Sequence, residues 1–432
     1  MRSFGFAILD WPQKGLWRVQ VEFRIGRQRP RKASRNAVRR RESSKTVKEA
    51  QTDPGPGREA REIVVVGGSA AGLFTAAKVA SGGRPVRVLE SLPTLDPSPR
   101  TLIVTNHFRQ QVNGAAGASI RNEIRKFELY TNGRSATVSL REPDLIIERS
   151  RLIRALAEEA GHAGARLDYD TRFLGLSPNA RGLHVQVDRS GQREELYAES
   201  VVGADGAVSR VAKAAGWPPV ETVPLVQAVV KLPKDFPADT TRVWFVPDDT
   251  PYFYWLIPES PERGALGVIG EQGRDTKKSF DRFLEKKGLE PLEWQGARIP
   301  VYRNWVPVRR TVGDSDVYLV GDAAAQVKVS TVGGIVTGFR GAQGVADAIL
   351  RKGRRELRAL RRELSTHWLI RRALHHFQQE DYCQLVDMLN DSARESLGAI
   401  SRDESTRLLW NVVRRQPRLA LLGLRSLLLG RR

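Results

Sequence analysis

EIVVVGGSAAGLFTAAKVASGGRPVRVLE, residues 62–90, is the stretch on which the fold turns. Its β-branched run Ile63-Val64-Val65-Val66 has the length of a strand buried on both faces, and it ends directly on Gly67-Gly68-Ser69-Ala70-Ala71-Gly72. A helix-permissive segment over 73–81 follows, stops at Gly82-Gly83, and gives way to a second strand over 86–90. Strand, glycine-rich turn, helix and strand in this order cradle a dinucleotide pyrophosphate. The cradle asks for a tight turn at its first glycine, close backbone approach at the second small residue and tight helix packing at the third. Gly67 and Gly72 meet the outer demands, and Ser69 is small enough for the middle. Glu90, 18 residues beyond Gly72, ends the second strand where a carboxylate accepts from ribose hydroxyls.

Two more stretches pair glycine with aspartate after a buried run. Val201-Val202-Gly203-Ala204-Asp205-Gly206 follows an alternating segment, Leu183-His184-Val185-Gln186-Val187, and a Ser190-Gly191 turn, the pattern of a hairpin feeding a strand. Val317-Tyr318-Leu319-Val320-Gly321-Asp322 leads through Ser330-Thr331-Val332-Gly333-Gly334-Ile335 into a helical run that reaches Leu350. Here Gly321 lets the chain pass close to a pyrophosphate, and Asp322 can accept from ribityl hydroxyls. Amides around Gly333 and Gly334 point from a helix N-terminus at developing negative charge, which suits the anionic edge of a reduced flavin.

In this order and at these separations, the three stretches resemble those of the flavoprotein oxidoreductases that include the aromatic hydroxylases, and specifically the geranylgeranyl reductase family. GDAAAQVKVSTVGGIVTG, residues 321–338, is similar to that family's GDAAGQVKPTTGGGIYYG. The resemblance covers residues 62–350 and implies an α/β fold: a Rossmann-like FAD-binding domain interleaved with an antiparallel β-sheet substrate domain, plus a helical C-terminal tail. The implied division is a basic arm over 1–61, the FAD-binding domain over 62–217 and 313–350, the substrate sheet over 218–312, and the helical region over 351–432. Implied FAD contacts are Gly67, Gly68, Ser69, Ala70, Ala71, Gly72, Glu90, Arg100, Arg149, Asp205, Gly321, Asp322, Gly333, Gly334 and Ile335. Asp205 stands in the stretch that helps hold both FAD and NADPH in relatives, so NAD(P)H or another reductant is the implied electron donor. Arg149, in IIERSRLIRAL (146–156), resembles the arginine that precedes the family's first long helix and reaches the flavin. The alternative for Arg149 is a surface residue at a helix start.

Between the second and third stretches the chain turns aromatic. Residues 242–246, 252–258 and 264–270 read as strands, with 259–263 as a connecting turn. Phe253, Trp255, Ile257 and Pro258 fall in register with the family's isoprenoid-pocket pattern Y-x-W-x-F-P, and Gly267 and Gly270 stand near its G-x-G. Phe253 for Tyr and Ile257 for Phe also lean toward the flavin-dependent halogenase signature W-x-W-x-I-P. Phe253, Trp255, Ile257, Pro258 and Gly267 are the implied substrate-binding residues. Ordinary sheet core is the competing reading for each aromatic. Where many family members carry Cys-Gly-Gly, this chain has Pro99-Arg100-Thr101-Leu102, so no mechanism can lean on that cysteine.

The chain of 432 residues carries 70 Lys plus Arg against 49 Asp plus Glu, a formal charge of +21, which first suggests nucleic acid or an anionic membrane. The excess lies at the ends. Residues 1–61 hold 16 basic and 6 acidic residues, 351–432 hold 18 and 9, and the middle holds 36 and 34. A folded centre near neutrality excludes a nucleic-acid face. The N-terminal stretch reads as a flexible arm without the features of a signal or transit peptide. The next methionine is Met388, so an alternative start such as Val47 is an equal expectation. At the other end, leucines over 408–429 interleave with Arg414, Arg415, Arg418 and Arg425. This amphipathic segment is too short to span a bilayer, and two placements stand: docked on the core, or lying on an anionic membrane. The expected location is cytoplasmic, with peripheral contact at the inner face of the membrane.

A single cysteine, Cys383, excludes disulfides and multi-cysteine metal sites. His367, His375 and His376 read as surface residues of an Arg-rich helix, so no metal is expected. The expected activity is FAD-dependent reduction of carbon–carbon double bonds in a prenyl lipid or quinone. A flavin monooxygenase or halogenase is the rival, although only Lys78 and Lys126 lie between the first two stretches to serve as a halogenase lysine. Catalytic residues stay unassigned: Tyr254 and Lys328 are candidate proton donors, set against readings as a solvent-facing strand residue and a loop residue.

Overall fold

The structure, a computed structural model, describes residues 62–429 apart from Asp96 and Asn113. The basic arm over 1–61 and the last three residues lie outside the described residues. In chain order the elements begin β1 (Ile63–Val66), α1 (Ala70–Ser81), β2 (Val86–Leu89), β3 (Thr101–Val104), α2 (His107–Gln111), α3 (Gly114–Gly117), β4 (Ile120–Thr131), β5 (Arg134–Glu148), α4 (Arg149–His162) and β6 (Arg166–Asp168). They continue with β7 (Thr171–Asn179), β8 (Gly182–Arg189), β9 (Gln192–Ala198), β10 (Ser200–Gly203), α5 (Arg210–Ala214), β11 (Thr222–Lys231), β12 (Thr240–Trp244), β13 (Tyr254–Pro258), β14 (Arg263–Ile269), α6 (Thr276–Lys287) and β15 (Pro291–Pro300). Last come β16 (Arg309–Val312), β17 (Ser315–Leu319), α7 (Ile335–Ile349), α8 (Arg355–His375), α9 (Gln379–Asp387), α10 (Asp391–Ala399), α11 (Ser405–Arg415) and α12 (Pro417–Leu429).

The first sheet has the order β16-β17-β10-β1-β2-β6, with β1 parallel to both β10 and β2. A strand paired on both edges and covered on both faces must be apolar throughout, and all four residues of β1 are buried. One face is covered by α1, α4 and α7, the other by the small sheet β7-β8-β9. That small sheet shows the expected period of two: Leu183, Val185 and Val187 are buried while His184 and Gln186 point away. Helix α1 begins at Ala70, three residues before the expected segment, because the Ser69 hydroxyl accepts from Gly72 N at 3.2 Å and caps it inside the glycine turn.

The second sheet has eight strands in the order β15-β11-β14-β13-β12-β4-β5-β3. Here the structure corrects the sequence-based division. Strands β3, β4 and β5, expected within the first part of the FAD-binding domain, belong to this sheet. The cause is a long-range parallel pairing, Thr240↔Lys126 through Trp244↔Tyr130, which joins β12 to β4 and has no local sequence signal. In the opposite sense β16, expected in the substrate sheet, hydrogen-bonds antiparallel to β17 in the first sheet. The sheet uses both faces. Tyr254 and Leu256 pack with Phe280, Phe283 and Leu284 of α6 on one side, and Phe253, Trp255 and Ile257 alternate to the other.

In the C-terminal helical region the long helix α8 runs to His375, and the chain turns at 376–378 before α9. No helix among the described residues is long and apolar enough to cross a membrane.

The contact between α1 and α7 centres on Phe339, 1% exposed, whose ring stacks at 4.6 Å on Phe74 and lies 6.2 Å from Phe108. Phe339→Ala is expected to lower stability by about 3–5 kcal/mol through lost burial and the cavity it leaves. Guanidinium denaturation should show an earlier midpoint at unchanged slope.

Candidate functional site

At the head of β1 the backbone turns sharply at Gly67, φ +106°. A Cβ placed on Gly72 would lie 2.3 Å from Gly67 O and 2.9 Å from the Ala204 Cβ, so only glycine lets α1 approach the turn and β10 this closely. Glu90 stands beside the turn, accepting from Gly68 N at 2.8 Å through Oε2 and from Leu92 N at 2.8 Å through Oε1. Gly67, Gly68, Ser69, Ala70, Ala71, Gly72 and Glu90 thus form one continuous cradle.

The third stretch meets that cradle from the far side of the sheet order. Residues 321–324 form a short 3₁₀ turn, and a Cβ on Gly321 would fall 2.9 Å from the Ala71 Cβ. Gly321 N donates to the Gln326 side-chain Oε1 at 2.7 Å. Burial pushes the Asp322 carboxyl up, opposed by the guanidinium groups of Arg100 and Arg149. These two arginines sit together: Arg149 N donates to Arg100 O at 3.0 Å, and Glu148 caps α4 while accepting from Arg100 N. Burial pulls both guanidinium pKa values down, and Arg100 Nε and Gln326 Nε2 are buried without a hydrogen-bond partner. Gly333 and Gly334 precede α7, Ile335 is its first residue, and Lys328 N donates to Gly333 O at 3.0 Å to close the loop between.

This loop holds a departure that the sequence carried in plain view. Ala325 and Val332 occupy the two places where the family stretch quoted above has extra glycines, and both are left-handed, at φ +51° and +54°. A β-branched residue there stores backbone strain of order 1–3 kcal/mol. The second glycine–aspartate stretch behaves differently. Asp205 accepts from Ser209 Oγ at 2.5 Å and from Arg210 N and Val211 N at 2.7 and 3.1 Å, capping α5 with both oxygens.

Against this region opens a cavity of about 670 Å³, inside the range of roughly 300–1,000 Å³ usual for small-molecule sites. Its wall is formed by the inner face of the eight-stranded sheet, by the loop over 328–335, and by α8, α9, α11 and α12. Phe253, Trp255 and Ile257 line it; Pro258 is buried at the strand end, where its carbonyl accepts from Asn122, and does not. Gly267 acts through its neighbour across the strands. A Cβ there would lie 2.2 Å from the Trp255 indole, so the glycine gives the ring its place, and Trp255 Nε1 donates to Gln227 at 3.2 Å.

Sequence reasoning missed the polar part of this wall. Lys328 is 4% exposed and ion-paired with Asp403, whose carboxylate also accepts from Thr105 and faces His107 Nδ1 at 3.5 Å. Lys328 is the loop residue that the sequence suggests, but a buried one. His367, expected at the surface, is 2% exposed: its Nδ1 meets Ser330 Oγ at 2.5 Å and its Nε2 faces Arg402 O at 3.1 Å. Burial pulls its pKa down. Residue 403 lies in the connection from α10 to α11, so no local signal links it to Lys328. His375 and His376 are exposed as expected, and among the described residues no group of His, Cys, Asp or Glu is placed to hold a metal ion. Tyr254 is buried rather than solvent-facing and turns away from the cavity, its hydroxyl donating to Asp249 at 3.0 Å. Cys383 is buried on α9, outside the cavity lining.

Residues 60–352 match the family described as FAD binding domain. A relative, the digeranylgeranylglycerophospholipid reductase of Methanothrix thermoacetophila, is 28% identical over 312 residues, covering 67% of this chain and 78% of the relative. Among solved structures, a geranylgeranyl bacteriochlorophyll reductase-like protein from Thermoplasma acidophilum has a TM-score of 0.69 at 18% identity, over 83% of this chain and 97% of its own. CmlS, a flavin-dependent halogenase, has a TM-score of 0.60 at 15% identity, over 84% and 78%. At such identities the two structures speak for the fold alone.

Gly72→Ala is expected to cost about 1–3 kcal/mol by overpacking the turn and to strip the cofactor during purification. The ratio of flavin to protein absorbance, with the melting temperature, measures both.

Proposed function

The chain belongs to the FAD binding domain family and is an FAD-dependent oxidoreductase; from that premise we propose that it reduces carbon–carbon double bonds of a prenyl lipid or quinone. The observation that carries the reading is the apolar cavity of about 670 Å³, walled by Phe253, Trp255, Ile257 and the C-terminal helices and reaching the loop over 328–335. Its lining suits a hydrocarbon chain, and burying such a chain is favourable by about 0.8 kcal/mol per CH₂. The name of the Methanothrix thermoacetophila relative, a digeranylgeranylglycerophospholipid reductase, points the same way.

The residues present fit the dinucleotide. Gly72 lets α1 start directly against the turn at Gly67, so the N-terminal amides of α1 would face a pyrophosphate, and the partnerless Arg100 Nε and Gln326 Nε2 are buried donors that a bound dinucleotide would meet. Glu90 would take ribose hydroxyls, Asp322 the ribityl chain, and Arg100 and Arg149 the approach to the flavin. Backbone amides over 333–335, at the head of the 15-residue α7, would face the flavin's anionic edge. When bound, the flavin supplies hydride at its ring nitrogen, and NAD(P)H or another reductant restores it. Phe253 and Trp255 would hold the alkene, and the apolar wall keeps water from it.

The same reading extends to the membrane. Residues 405–432 contain seven arginines and no acidic residue. Trp410, Leu421, Leu424 and Leu428 are 52–68% exposed, while Leu408, Leu409 and Val412 line the cavity. Helices α11 and α12 would therefore lie on an anionic bilayer with the cavity beneath them, at the inner face of the membrane. Each of Arg414, Arg418 and Arg425 changed to Gln is expected to weaken binding to phosphatidylglycerol vesicles about fivefold, with little effect on phosphatidylcholine. Flotation that is unchanged in the triple variant defeats this placement.

For the reaction, the purified yellow protein is reduced anaerobically with dithionite and mixed with digeranylgeranylglycerophospholipid in vesicles. Reoxidation of the flavin with a mass gain of two hydrogens per double bond is expected. Reoxidation by oxygen alone, with hydroxylation or halogenation of an aromatic compound, would instead establish the rival chemistry.

A further inference from the structure

Lys328 lines the largely apolar cavity, and behind it Asp403, Thr105 and His107 form a polar cluster that takes no part in the cofactor cradle. The four residues come from three distant segments: the loop beside Gly333, the connection between α10 and α11, and the junction of β3 with α2. A Cβ on Gly333 would lie 3.5 Å from Lys328 Nζ, so the ammonium stands against the loop that leads into α7. Asp403 bridges two cationic groups, with Lys328 on Oδ1 and His107 Nδ1 at 3.5 Å from Oδ2, where the Thr105 hydroxyl also donates. Lys328 and Asp403 are buried, their side chains 5% and 1% exposed, whereas the His107 side chain is 33% exposed. One end faces the cavity and the other meets water.

A buried ion pair rarely improves stability over apolar packing of the same volume, so its place in a cavity wall calls for another use. Reduction of a double bond provides one. The π bond breaks and two C–H bonds form: a hydride carrying both electrons, which a bound reduced flavin would supply, goes to one carbon, and the other carbon needs a proton from the protein. Resting on the double-bond reduction read above, we propose that Lys328 donates that proton and that His107, through Asp403, restores it from solvent. Lys328 Nζ–H breaks as the C–H forms, and the neutral amine recovers a proton from the His107 imidazolium across the shared carboxylate. His107 then takes one from water at its exposed edge.

Other cavity groups lack such a path. Both ring nitrogens of His367 are engaged, by Ser330 and by Arg402 O, and Tyr252 lies under the Arg371 guanidinium. The charges facing His107 are Asp403, Glu404 and Lys328; the hydrogen bond to Asp403 is the largest influence and raises its pKa, with burial and Lys328 opposing. Asp403 in turn is held well below the usual carboxylate range by Lys328, His107 and Thr105 against its own burial. His107 thus stays protonated to a higher pH than a free imidazole, and the relay empties as the pH rises through that raised value.

The test uses the FAD-loaded protein and the Lys328→Arg, Lys328→Met and His107→Gln variants, with flavin content and melting temperature as controls. Arginine keeps the ion pair and its charge but cannot give up a proton near neutral pH. Single-turnover flavin oxidation by digeranylgeranylglycerophospholipid vesicles is expected to slow about 100-fold in both Lys328 variants, the scale of lost general acid catalysis. In repeated turnover, which draws on the restored proton, His107→Gln, a partly exposed change that leaves the buried pair intact, should be slower and should lose the fall in rate at high pH. Independently of turnover, ring ¹⁵N NMR of the oxidised protein should show the His107 pKa rising in Lys328→Met, where the competing cation is gone. A wild-type rate in Lys328→Arg, an unaltered pH profile in His107→Gln, or an unmoved His107 titration in Lys328→Met overturns the relay. Wild-type protein that the lipid never reoxidises overturns the reduction itself, and the relay with it.

Discussion

A side chain on Gly72 would stand 2.3 Å from the carbonyl of Gly67, and this single close approach sets the distance between β1 and α1. Much else follows from it. With α1 drawn in, Phe74 reaches Phe339 and α7 seats beside α1, which brings the turn at Gly321 against Ala71. Two stretches some 250 residues apart in the chain then form one cradle. The residues between them need only return the chain to β10 and β17, strands that pair in parallel and leave their C-terminal ends at the same edge.

The second sheet works by alternation. Tyr254 and Leu256 enter the core under α6, and Phe253, Trp255 and Ile257 face the cavity, so one strand serves stability on one side and recognition on the other. Gly267 is the price of placing an indole flat on that sheet. The C-terminal helices complete the enclosure, held at residues 402–405 by a compact set of bonds: Arg402 to Asp144, Asp403 to Lys328, and Ser405 N to Glu363. The charge that dominates the composition has little part in this core: its excess belongs to residues 1–61 and 351–432.

The local devices can be read from neighbouring residues. The glycine turn and the alternating hairpin that feeds β10 were legible, because each depends on residues within a turn or a strand of one another. The aromatic register at Phe253, Trp255 and Ile257 was legible for the same reason. Tertiary structure alone decided the rest. The recruitment of β3, β4 and β5 by β12, the burial of His367 and Lys328, and the joining of Asp403 to Thr105 and His107 all arise between segments far apart in the chain. Such contacts depend on how sheets and helices pack once formed, and packing energy is shared among so many side chains that no short pattern records it.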